Sequence, residues 1–385
     1  MVDLNADNCV RVLQLNSGSK NFGGVSSFLY NVYTHIDRYQ VQFDFLSPNE
    51  TTYGLYREEI ESAGAQIFEL NIRGNILTRK LKLYSRLKKF LQNSEYQIIH
   101  INSGNFFFNL FSVMAARNAR IPTRIVHSHN AGDLTTSPIK RMFFKLLKPY
   151  LEKNATHLWA CSRKAAEYMF QSKSLNRVII IPNGIVTERF TYHEEVRKKI
   201  RKEINVEDKF VVGHVGRFLP QKNHEFLIDI FAEIYKKEPN AVLLLLGQGE
   251  LENKIRERVN QFELNECVRF LGIRNDIENI YQAMDVFILP SFHEGLPVTG
   301  IEVQASGLPI VLSDSITEEV KLTKYVRFLS LTDGASKWAD ALLAYRDVNR
   351  KDQVKEIYEA GYDINQVAKR LERFYLQVGL QDHLI

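Results

Sequence analysis

The chain has 385 residues, of which 45% are hydrophobic and 25% charged, a composition typical of a globular protein with two domains. No apolar run approaches the ~18 residues that span a bilayer, and the three cysteines, Cys9, Cys161 and Cys267, match no metal-binding or redox spacing. The net charge of +5 is unevenly distributed: residues 1–185 carry 23 Lys and Arg against 13 Asp and Glu, and the remaining residues carry 27 against 32. The acidic second half and the absence of any nucleic-acid-binding motif argue against nucleic acid as a partner.

Short apolar runs of strand type alternate with helical patterns in the first half of the chain. The predicted strands are CVRVLQLN, VQFDFLS, QIIHINS, TRIVHSH, HLWACS and VIIIPNG. The first residues, MVDLNAD, contain acids and pass directly into a strand, which does not fit a signal peptide. Together with free, widely spaced cysteines, this leads us to expect a cytoplasmic protein.

A glycine-containing loop follows the first predicted strand. In LNSGSKNFGGVSSFLYNVY (15–33), Gly18, Gly23 and Gly24 lie between the strand and a helix that begins around Ser26. Glycines at such a turn let the backbone approach a ligand and expose amides to a phosphate. The loop matches neither G-x-G-x-x-G nor a Walker loop, so by itself it indicates a phosphate site only weakly.

Two segments of the first half combine cations with apolar residues at helical spacing. RKLKLYSRLKKFLQ (79–92) has six Lys and Arg, and KRMFFKLLKPYLEK (140–153) has five. Either they are surface helices whose lysine stems cover apolar neighbours, or they lie on an anionic membrane surface. With the aromatic run NFFFNLF (105–111), they would suit peripheral contact with the inner face of the plasma membrane, where an acceptor could be held.

The sequence VHSHN (126–130) directly follows the apolar run TRIV. We expect His127 and His129 to point to opposite sides of the strand, so that one of them faces a ligand. No carboxylate or Cys lies at a spacing that would complete a metal site with this pair. A hydrogen-bonded histidine at a strand end is the structural alternative.

The second half repeats the alternation of strands and helices. Its predicted strands are FVVGHVGR, AVLLLLGQG, VRFLG, DVFILPS and PIVLSD. The two sets, separated near PNGIVTERF (182–190), predict an α/β protein with two doubly wound parallel-sheet domains and a cleft between them. We expect domains at 1–184 and 185–363, followed by a final helix at 364–385. In such sheets, ligands bind beyond the carboxyl ends of the strands.

Two cations follow the strand FVVGHVG. Arg217 comes directly after it, and Lys222 lies five residues later, where a helix starts near Asn223. A guanidinium and an ammonium beside a helix N-terminus form a site for a polyanion, and a diphosphate suits it best. A solvated loop with two unrelated cations is the alternative.

Two glutamates follow the strand DVFILPS. Glu294 stands at its carboxyl end, and Pro297 suits the first turn of the helix that contains Glu302. On a helical wheel, Val298, Ile301 and Ala305 form the predicted buried stripe, and Glu302 falls inside it. A carboxylate directed inward needs hydrogen-bond donors, either from the protein or from ligand hydroxyls.

A pair of carboxylates raises the possibility of glycoside hydrolysis, in which an acid and a base stand ~5–9.5 Å apart. The two glutamates need not converge, and a hydrolase has no use for a diphosphate site. Cations for a diphosphate together with acceptors for hydroxyls favour a nucleotide sugar. Since no D-x-D triplet is present to hold a divalent ion, cationic side chains would have to stabilise the leaving group.

These elements, in this order, resemble the family 4 retaining glycosyltransferases, which have the GT-B fold of two facing Rossmann-like domains. GGVSSFLYNVY resembles the family's Gly-Gly loop, VHSHN its donor-contacting histidine, IPNGI its interdomain element, GRFLPQK its Arg and Lys pair, and EGLPVTGIE its E-x7-E motif. The resemblance covers nearly the whole chain. The run GLPIVLSDSITEEV is similar to the branch that builds bacterial capsular polysaccharides and exopolysaccharides.

The resemblance implies a role for each matching residue. Arg217 and Lys222 would hold the donor diphosphate, and Glu294 and Glu302 would accept hydrogen bonds from the sugar and the ribose. His127 would contact the donor sugar, since it matches better than His129 by directly following the strand. The expected catalytic residues are His127, Arg217, Lys222 and Glu294, and the expected donor-binding residues are Gly23, Gly24, Gly216, Arg217, Lys222, Glu294, Gly295, Leu296, Val298 and Glu302.

The implied activity is retaining, hexosyl-type transfer from a nucleoside-diphosphate sugar, UDP-sugar being expected, to a growing lipid-linked glycan, without a metal or other cofactor. The first domain would bind acceptor and the second donor, and the resemblance implies that the final helix, 364–385, crosses back to the first domain. Two departures stand out: Asn223 follows Lys222 where many members have Gly, and Pro297 lacks an amide that other branches could use. An epimerase or hydrolase of the same fold, and a non-catalytic nucleotide-binding subunit, are the alternatives.

Overall fold

Two parallel sheets organise the chain. The computed structural model describes residues 9–17, 23–49, 53–130 and 138–381. The chain divides into one unit made of residues 1–184 and 363–385 and a second made of residues 185–362. The C-terminal helix is therefore part of the first unit.

The first unit contains seven strands among its described residues, and all pair in parallel. They are β1 Val10–Asn16, β2 Val41–Ser47, β3 Ile67–Glu69, β4 Ile98–Asn102, β5 Thr123–Ser128, β6 His157–Ala160 and β7 Ile179–Ile180, in the spatial order β3-β2-β1-β4-β5-β6-β7. The strands β2 and β4 are buried along their whole length, as expected for strands covered by helices on both faces. This order is that of a Rossmann-like sheet.

The helices of the first unit are α1 Gly24–His35, α2 Arg57–Ser62, α3 Ile76–Gln92, α4 Phe106–Asn118, α5 Pro138–Asn154, α6 Arg163–Met169 and α14 Ile364–Gln381. Several begin at a polar cap: the side chains of Asn75, Asn105 and Ser162 accept hydrogen bonds from amides in the first turns of α3, α4 and α6. The two basic segments lie in α3 and α5, as predicted.

The second unit contains six described strands, again all parallel. They are β8 Phe210–Val215, β9 Ala241–Leu246, β10 Val268–Gly272, β11 Val286–Leu289, β12 Ile310–Ser313 and β13 Val326–Leu329, in the order β10-β9-β8-β11-β12-β13. The helices are α7 Glu194–Glu203, α8 His224–Lys237, α9 Glu252–Gln261, α10 Ile277–Ala283, α11 Val298–Ala305, α12 Ala335–Leu343 and α13 Val354–Glu359. Its core includes Trp338, Phe231 and Ile228, each with at most 1% of its surface exposed.

The structure confirms each of the predicted strands and the α/β class. Two further strands, β3 and β13, were not predicted; they have three and four residues and lie at the edges of the two sheets. Short edge strands bury little apolar surface, so their sequence pattern is weak. In each sheet the strand order reverses between two central neighbours, β1 with β4 and β8 with β11, and ligands of such sheets bind at this switch point.

The aromatic run at 105–111 does not form the exposed surface that its sequence suggested. It begins α4, where Phe106 is 2% and Phe108 9% exposed, and Phe107 and Phe111 are half-buried. Phe106 packs on Phe144 of α5 at 5.2 Å between ring centroids. These aromatic residues mainly hold α4 and α5 together, because a helix between a sheet and a neighbouring helix is apolar on more than one side.

Candidate active site

Two of the predicted site loops meet at the switch point of the second unit. Lys222 lies in the loop after β8, and Glu294 lies in the loop after β11. Because β8 and β11 are parallel neighbours, their carboxyl ends lie at the same sheet edge. Lys222 Nζ donates to Glu294 Oε1 over 2.7 Å, so the predicted cation and the predicted carboxylate form an ion pair.

Gly216 makes room for this lysine. Lys222 ends a short 3-10 turn, Pro220–Lys222, and its aliphatic stem passes over the glycine. A Cβ at position 216 would lie 2.9 Å from Nε2 of His214 and 3.2 Å from Cδ and Cε of Lys222. Any side chain here would displace the lysine, which gives a steric reason for glycine at a position assigned from resemblance alone.

Arg217 differs from Lys222 in its surroundings. Its side chain is exposed and has no hydrogen bond or ion pair with any residue in the described part of the chain. A guanidinium that has no protein partner among the described residues, close to an ammonium that already forms an ion pair, is suited to bind an anion that arrives from solvent.

Gln221 is a member of this site that the sequence did not reveal. Its Nε2 donates to the carbonyl oxygen of His293 over 2.8 Å and to Glu294 Oε2 over 3.2 Å. Its own carbonyl accepts from the amide of Phe292 over 2.9 Å. Gln221 thus fixes the loop after β11 against the loop after β8. An uncharged residue beside a lysine carries no sequence signal of such a role.

Two histidines that were not predicted as site residues, His214 and His224, lie buried next to the loop that contains Lys222. His214 Nδ1 donates to the carbonyl of Ile288 over 2.8 Å, and His224 stacks on Phe218 with 4.3 Å between ring centroids. Burial, reinforced by nearby positive charge, lowers the pKa of His214 well below its usual range and that of His224 to about 3. Both rings are neutral at physiological pH, and so they add no positive charge next to that of Lys222.

Glu294 stands at the start of a buried loop. It is 8% exposed, and Gly295 and Leu296 that follow it are buried. Pro297 is the N-cap of α11, one position before the helical turn in which it was predicted. The predicted stripe of α11 is wrong at Val298, which is half-buried, whereas Ile301 and Ala305 have no exposed surface. Val298 is the first residue of this helix and lies next to the loop after β11, and a helical wheel does not take the end of a helix into account.

Glu302 lies on α11, where Tyr281 of α10 donates its hydroxyl to Oε2 over 2.9 Å. Burial raises the pKa of this carboxyl to about 7, and the Tyr281 hydrogen bond and the positive charge of Arg189 act in the opposite direction. A single hydrogen bond leaves the other carboxylate oxygen available to further donors. The structure thus places a partly buried, readily protonated carboxyl at the second glutamate of the motif.

In the first unit, the prediction that His127 and His129 point to opposite sides is wrong. Their ring centroids are 3.9 Å apart. Residues two apart on a strand share a face, because side chains alternate with a period of two. His127 Nδ1 lies 3.2 Å from Nε2 of His100, so a third histidine belongs to the same cluster.

Burial separates the roles of the two histidines. His127 has no exposed surface and packs against Phe28 and Trp159. His129, one residue beyond β5, keeps 8% of its surface exposed. Burial lowers the pKa of His127 well below its usual range and that of His129 to about 4. The geometry therefore favours His129 over His127 for contact with a ligand, because a strand-end residue lies closer to the sheet edge.

The glycine loop after β1 is only partly described. Gly18 lies outside the described residues. Gly23 is the N-cap of α1 and Gly24 its first residue, so the helix starts two residues earlier than Ser26, where it was predicted. A Cβ on Gly24 would meet nothing within 4 Å, and the described surroundings give no steric reason for glycine there.

Within the described ranges, no group of three or more His, Cys, Asp or Glu side chains is arranged to hold a metal ion. Nor does any described helix combine the length and the hydropathy of a bilayer-spanning segment.

Two protein-family models match the chain, one in each half. The model of "Glycosyltransferase Family 4" matches residues 22–189, and that of "Glycosyl transferases group 1" matches residues 196–343. EpsF of Bacillus subtilis (strain 168), named as a glycosyltransferase, is 34% identical over 383 residues, covering 97% of this chain and 98% of EpsF. The chain belongs to glycosyltransferase family 4.

Two further comparisons bear on this glycosyltransferase. The UDP-Gal:alpha-D-GlcNAc-diphosphoundecaprenol alpha-1,3-galactosyltransferase of Escherichia coli is 30% identical over 247 residues, or 62% of this chain and 63% of the relative. The crystal structure of Anabaena HepE with UDP and glucose superposes with a TM-score of 0.75 at 18% identity, covering 95% of this chain and 99% of HepE. At that identity the likeness shows the fold alone, which is the two-Rossmann architecture of GT-B enzymes.

Proposed function

We propose that this glycosyltransferase moves a hexose from a UDP-sugar to a growing lipid-linked glycan of a capsule or exopolysaccharide, with retention of anomeric configuration. The observation that carries the donor class is the switch point of the second unit. There an exposed guanidinium, Arg217, lies in the same loop as an ammonium, Lys222, which is paired with the carboxylate of Glu294. Cations suit a diphosphate and carboxylates suit hydroxyls. The names of the E. coli relative and of the HepE complex support UDP as the nucleotide.

The proposed roles follow from these positions. Arg217 and Lys222 bind the diphosphate, and Glu294 accepts hydrogen bonds from the sugar hydroxyls. Glu302 accepts them from the ribose. The amides at Gly295 and Leu296 lie in the loop that would contact the phosphates, whereas Pro297 has none to offer. In the first unit we assign contact with the donor sugar to His129 in place of His127, because His129 retains exposed surface.

The reaction exchanges one bond at the anomeric carbon for another. The bond to the diphosphate oxygen breaks, the bond to the acceptor oxygen forms on the same face, and the acceptor proton passes to the leaving phosphate. Negative charge grows on the diphosphate as it leaves, and Arg217 and Lys222 would stabilise that charge in the transition state. No cofactor is assigned to this site.

The ion pair between Lys222 and Glu294 implies an exchange of partners. Without donor the two charges neutralise each other, with only 17% and 10% of the side chains exposed. Donor binding offers phosphate oxygens to the ammonium and hydroxyl groups to the carboxylate. Neither charge is then left unpaired. An unpaired charge in a partly desolvated site would be strongly unfavourable.

An apolar surface on α5 supports peripheral contact with a membrane. Met142, Phe143, Leu146 and Tyr150 of this helix are 51–62% exposed, and Leu81 of α3 is 57% exposed. Lys80 of α3 stacks on Phe107, with 3.8 Å from its Nζ to the ring centroid. Exposed apolar side chains among lysines are the features of a helix that lies in an anionic lipid surface. We propose that this face rests on the inner side of the plasma membrane, where a lipid-linked acceptor would be held.

The donor assignment is tested by calorimetric titration with UDP and a panel of UDP-sugars. Lys222→Met should weaken UDP binding roughly 10–100-fold, the range for a charged hydrogen bond, because it also leaves Glu294 unpaired. Lys222→Met combined with Glu294→Gln should recover part of that loss. Lys254→Met, which removes an exposed lysine paired with Glu225 in the same unit, is the matched control.

Unchanged UDP affinity in Lys222→Met and Arg217→Ala would refute the diphosphate site. Transfer is then assayed with a lipid-diphosphate-linked saccharide and the preferred UDP-sugar. Hydrolysis of the donor at a rate unaffected by the saccharide would identify a hydrolase instead, and tight UDP binding without turnover would identify a non-catalytic subunit.

A further inference from the structure

A closed ring of hydrogen bonds adjoins the two histidines of the first unit and takes no part in the chemistry described above. Its members are Gln14 on β1, His100 and Asn102 on β4, and Tyr375 on α14, each with at most 1% of its surface exposed. We propose that Tyr375 is a positioning residue, and that this ring fixes His127 and His129 in the tautomer that carries its proton on Nε2. The relevance to catalysis rests on the proposed function; the tautomers themselves do not.

The direction of the bonds follows from one backbone carbonyl. Asn102 Nδ2 lies 3.0 Å from the carbonyl oxygen of His100, which can only accept, and this contact distinguishes the amide nitrogen of Asn102 from its oxygen. Nδ2 also donates to Gln14 Oε1 over 3.0 Å. Gln14 must therefore turn its own Nε2 towards Tyr375 Oη, 3.2 Å away.

Tyr375 carries this direction on to His100. Since Oη accepts from Gln14, its hydrogen is free to be donated to His100 Nδ1, at 2.6 Å. A buried hydroxyl hydrogen without an acceptor would be unfavourable. Burial lowers the pKa of His100 well below its usual range, so the ring is neutral. Accepting at Nδ1, it holds its one proton on Nε2.

The Nε2–H group of His100 donates its hydrogen bond to His127. His100 Nε2 lies 3.2 Å from His127 Nδ1, so His127 accepts at Nδ1 and, being neutral, holds its own proton on Nε2. This Nε2 has no well-aligned hydrogen-bond acceptor among the described residues. An interaction with the backbone of Ile181 acts to raise the pKa of His127, but burial outweighs it. A fixed N–H at this place follows from Tyr375, which is 248 residues away in sequence but two hydrogen bonds away in space.

Asn102 sets the tautomer of His129 at the same time. Its Oδ1 accepts from His129 Nε2 over 3.1 Å, so the lone pair of neutral His129 is on Nδ1. The atom placed 3.0 Å from Nδ1 is Oδ1 of Asn183, which can only accept, so this tautomer requires the Asn183 amide to be turned by 180°, with its Nδ2 donating to the lone pair. His129 would therefore meet a sugar hydroxyl as an acceptor, in competition with Asn183, and not as a donor.

The test is a long-range proton–nitrogen correlation spectrum of protein labelled with ¹⁵N at its ten histidines, at pH 7 and without ligands. We expect His100, His127 and His129 to be protonated on Nε2. In Tyr375→Phe, which keeps the ring and deletes only the hydroxyl, His100 should shift towards the Nδ1-protonated form. In the transfer assay its kcat should fall roughly tenfold or more, with a smaller change in KM, as for loss of an outer hydrogen-bond partner.

Tyr33→Phe is the matched control. It deletes another buried hydroxyl of the first unit, which accepts from Gln42 over 2.9 Å and donates to the carbonyl of Ala63 over 3.1 Å, outside the ring. We expect a comparable fall in Tm and unchanged histidine tautomers. A wild-type His100, His127 or His129 protonated on Nδ1 would overturn the proposal, and so would a Tyr375→Phe protein with wild-type tautomers and a kcat equal to that of Tyr33→Phe. If Tyr375→Phe fails to fold, the wild-type spectrum decides. A wild-type enzyme without transfer activity would count against the proposed function alone.

Discussion

Asn223 separates Lys222 from α8, and its backbone is left-handed, with φ 56° and ψ 45°. This conformation crowds the Cβ of most residues against the backbone, and Gly and Asn tolerate it best. The departure from the family's usual glycine is thereby explained, since Asn meets the same backbone requirement. The turn it makes sets the direction from which the Lys222 side chain enters the site.

Substitution of Asn223 is the first prediction at the residue scale. Asn223→Ala should lower the free energy of unfolding by about 1 kcal/mol, because alanine has no polar side chain to compensate for the left-handed backbone. Asn223→Gly should be neutral within a few tenths of that amount and serves as the control. Urea denaturation of both variants measures the effect, and equal stability of Ala and Gly would show that the backbone conformation is unimportant here.

The protonation of Glu302 makes both the stability of the protein and donor binding depend on pH. Burial raises its pKa to about 7, so the folded protein binds this proton more tightly than the unfolded chain does. The stabilisation by the protonated form is therefore fully present below the unfolded pKa and is lost as pH rises through about 7. Donor binding has the opposite dependence, because only the ionised carboxyl offers all its oxygens as acceptors to the ribose.

We expect the donor KM of the wild type to fall as pH rises from 6 to 8, and that of Glu302→Gln to be higher and flat over this range. Tyr281→Phe removes a hydrogen bond that lowers the carboxyl pKa, so its KM profile should shift to higher pH. Glu302→Gln should also gain Tm relative to the wild type at pH 8 but not at pH 5. Parallel KM profiles for all three proteins would show that Glu302 does not titrate against the donor.

At the scale of elements, α5 has two faces with different roles. One packs on α4 through Phe144, which lies 5.2 Å from Phe106. The other exposes Met142, Phe143, Leu146 and Tyr150. Apolar side chains concentrated on one side of a helix with lysines bind a lipid surface in proportion to the apolar area that they bury.

Phe143→Ser combined with Leu146→Ser should weaken binding to vesicles of phosphatidylglycerol and phosphatidylethanolamine at least about tenfold, since each apolar side chain contributes roughly 1.5–3 kcal/mol when fully buried. Tm should not change, because both residues are exposed. Ile273→Ser with Tyr358→Ser, at exposed positions of the second unit, is the control. Vesicle sedimentation in low and high salt measures the effect, and equal binding of both double variants would exclude α5 as the contact.

At the scale of the whole molecule, the chain closes its first unit with its last helix. α14 buries Ile364, Val367, Ala368, Leu371 and Tyr375, each with at most 2% exposed surface. Arg370 donates to the carbonyl of Ile180 over 2.9 Å, and Glu372 accepts from the amide of Asp37 over 3.0 Å. The first unit therefore needs the end of the chain for its core, whereas the second unit is continuous in sequence.

Removal of residues 363–385 should raise amide hydrogen exchange throughout the first unit, because its core loses those buried side chains. Exchange in β8, β9 and β11 should stay at its wild-type level, since the second unit has a core of its own. Mass spectrometry of peptides from both units checks this within one sample. Equal protection of the first unit with and without α14 would show that the helix is dispensable.

The sequence by itself determined the α/β alternation, the places where strands end, and which loops hold cations and carboxylates. Those features are local: hydrophobic period, turn residues and the position of a charge after an apolar run can be read within about ten residues. Arg217, Lys222, Glu294 and Glu302 were found in this way. The sharing of one face by His127 and His129 was also local, and it was predicted wrongly because the period of a strand was misapplied.

Only the tertiary structure decided which of these residues meet. The pairing of Lys222 with Glu294 joins positions 72 apart, because β8 and β11 are neighbours in the sheet. Tyr375 reaches His100 over a separation of 275 residues, and Gln221 acts through contacts with a distant loop. Burial likewise arises from packing on every side, so neither the inaccessibility of His127 nor the raised pKa of Glu302 could be read from residues near them in sequence.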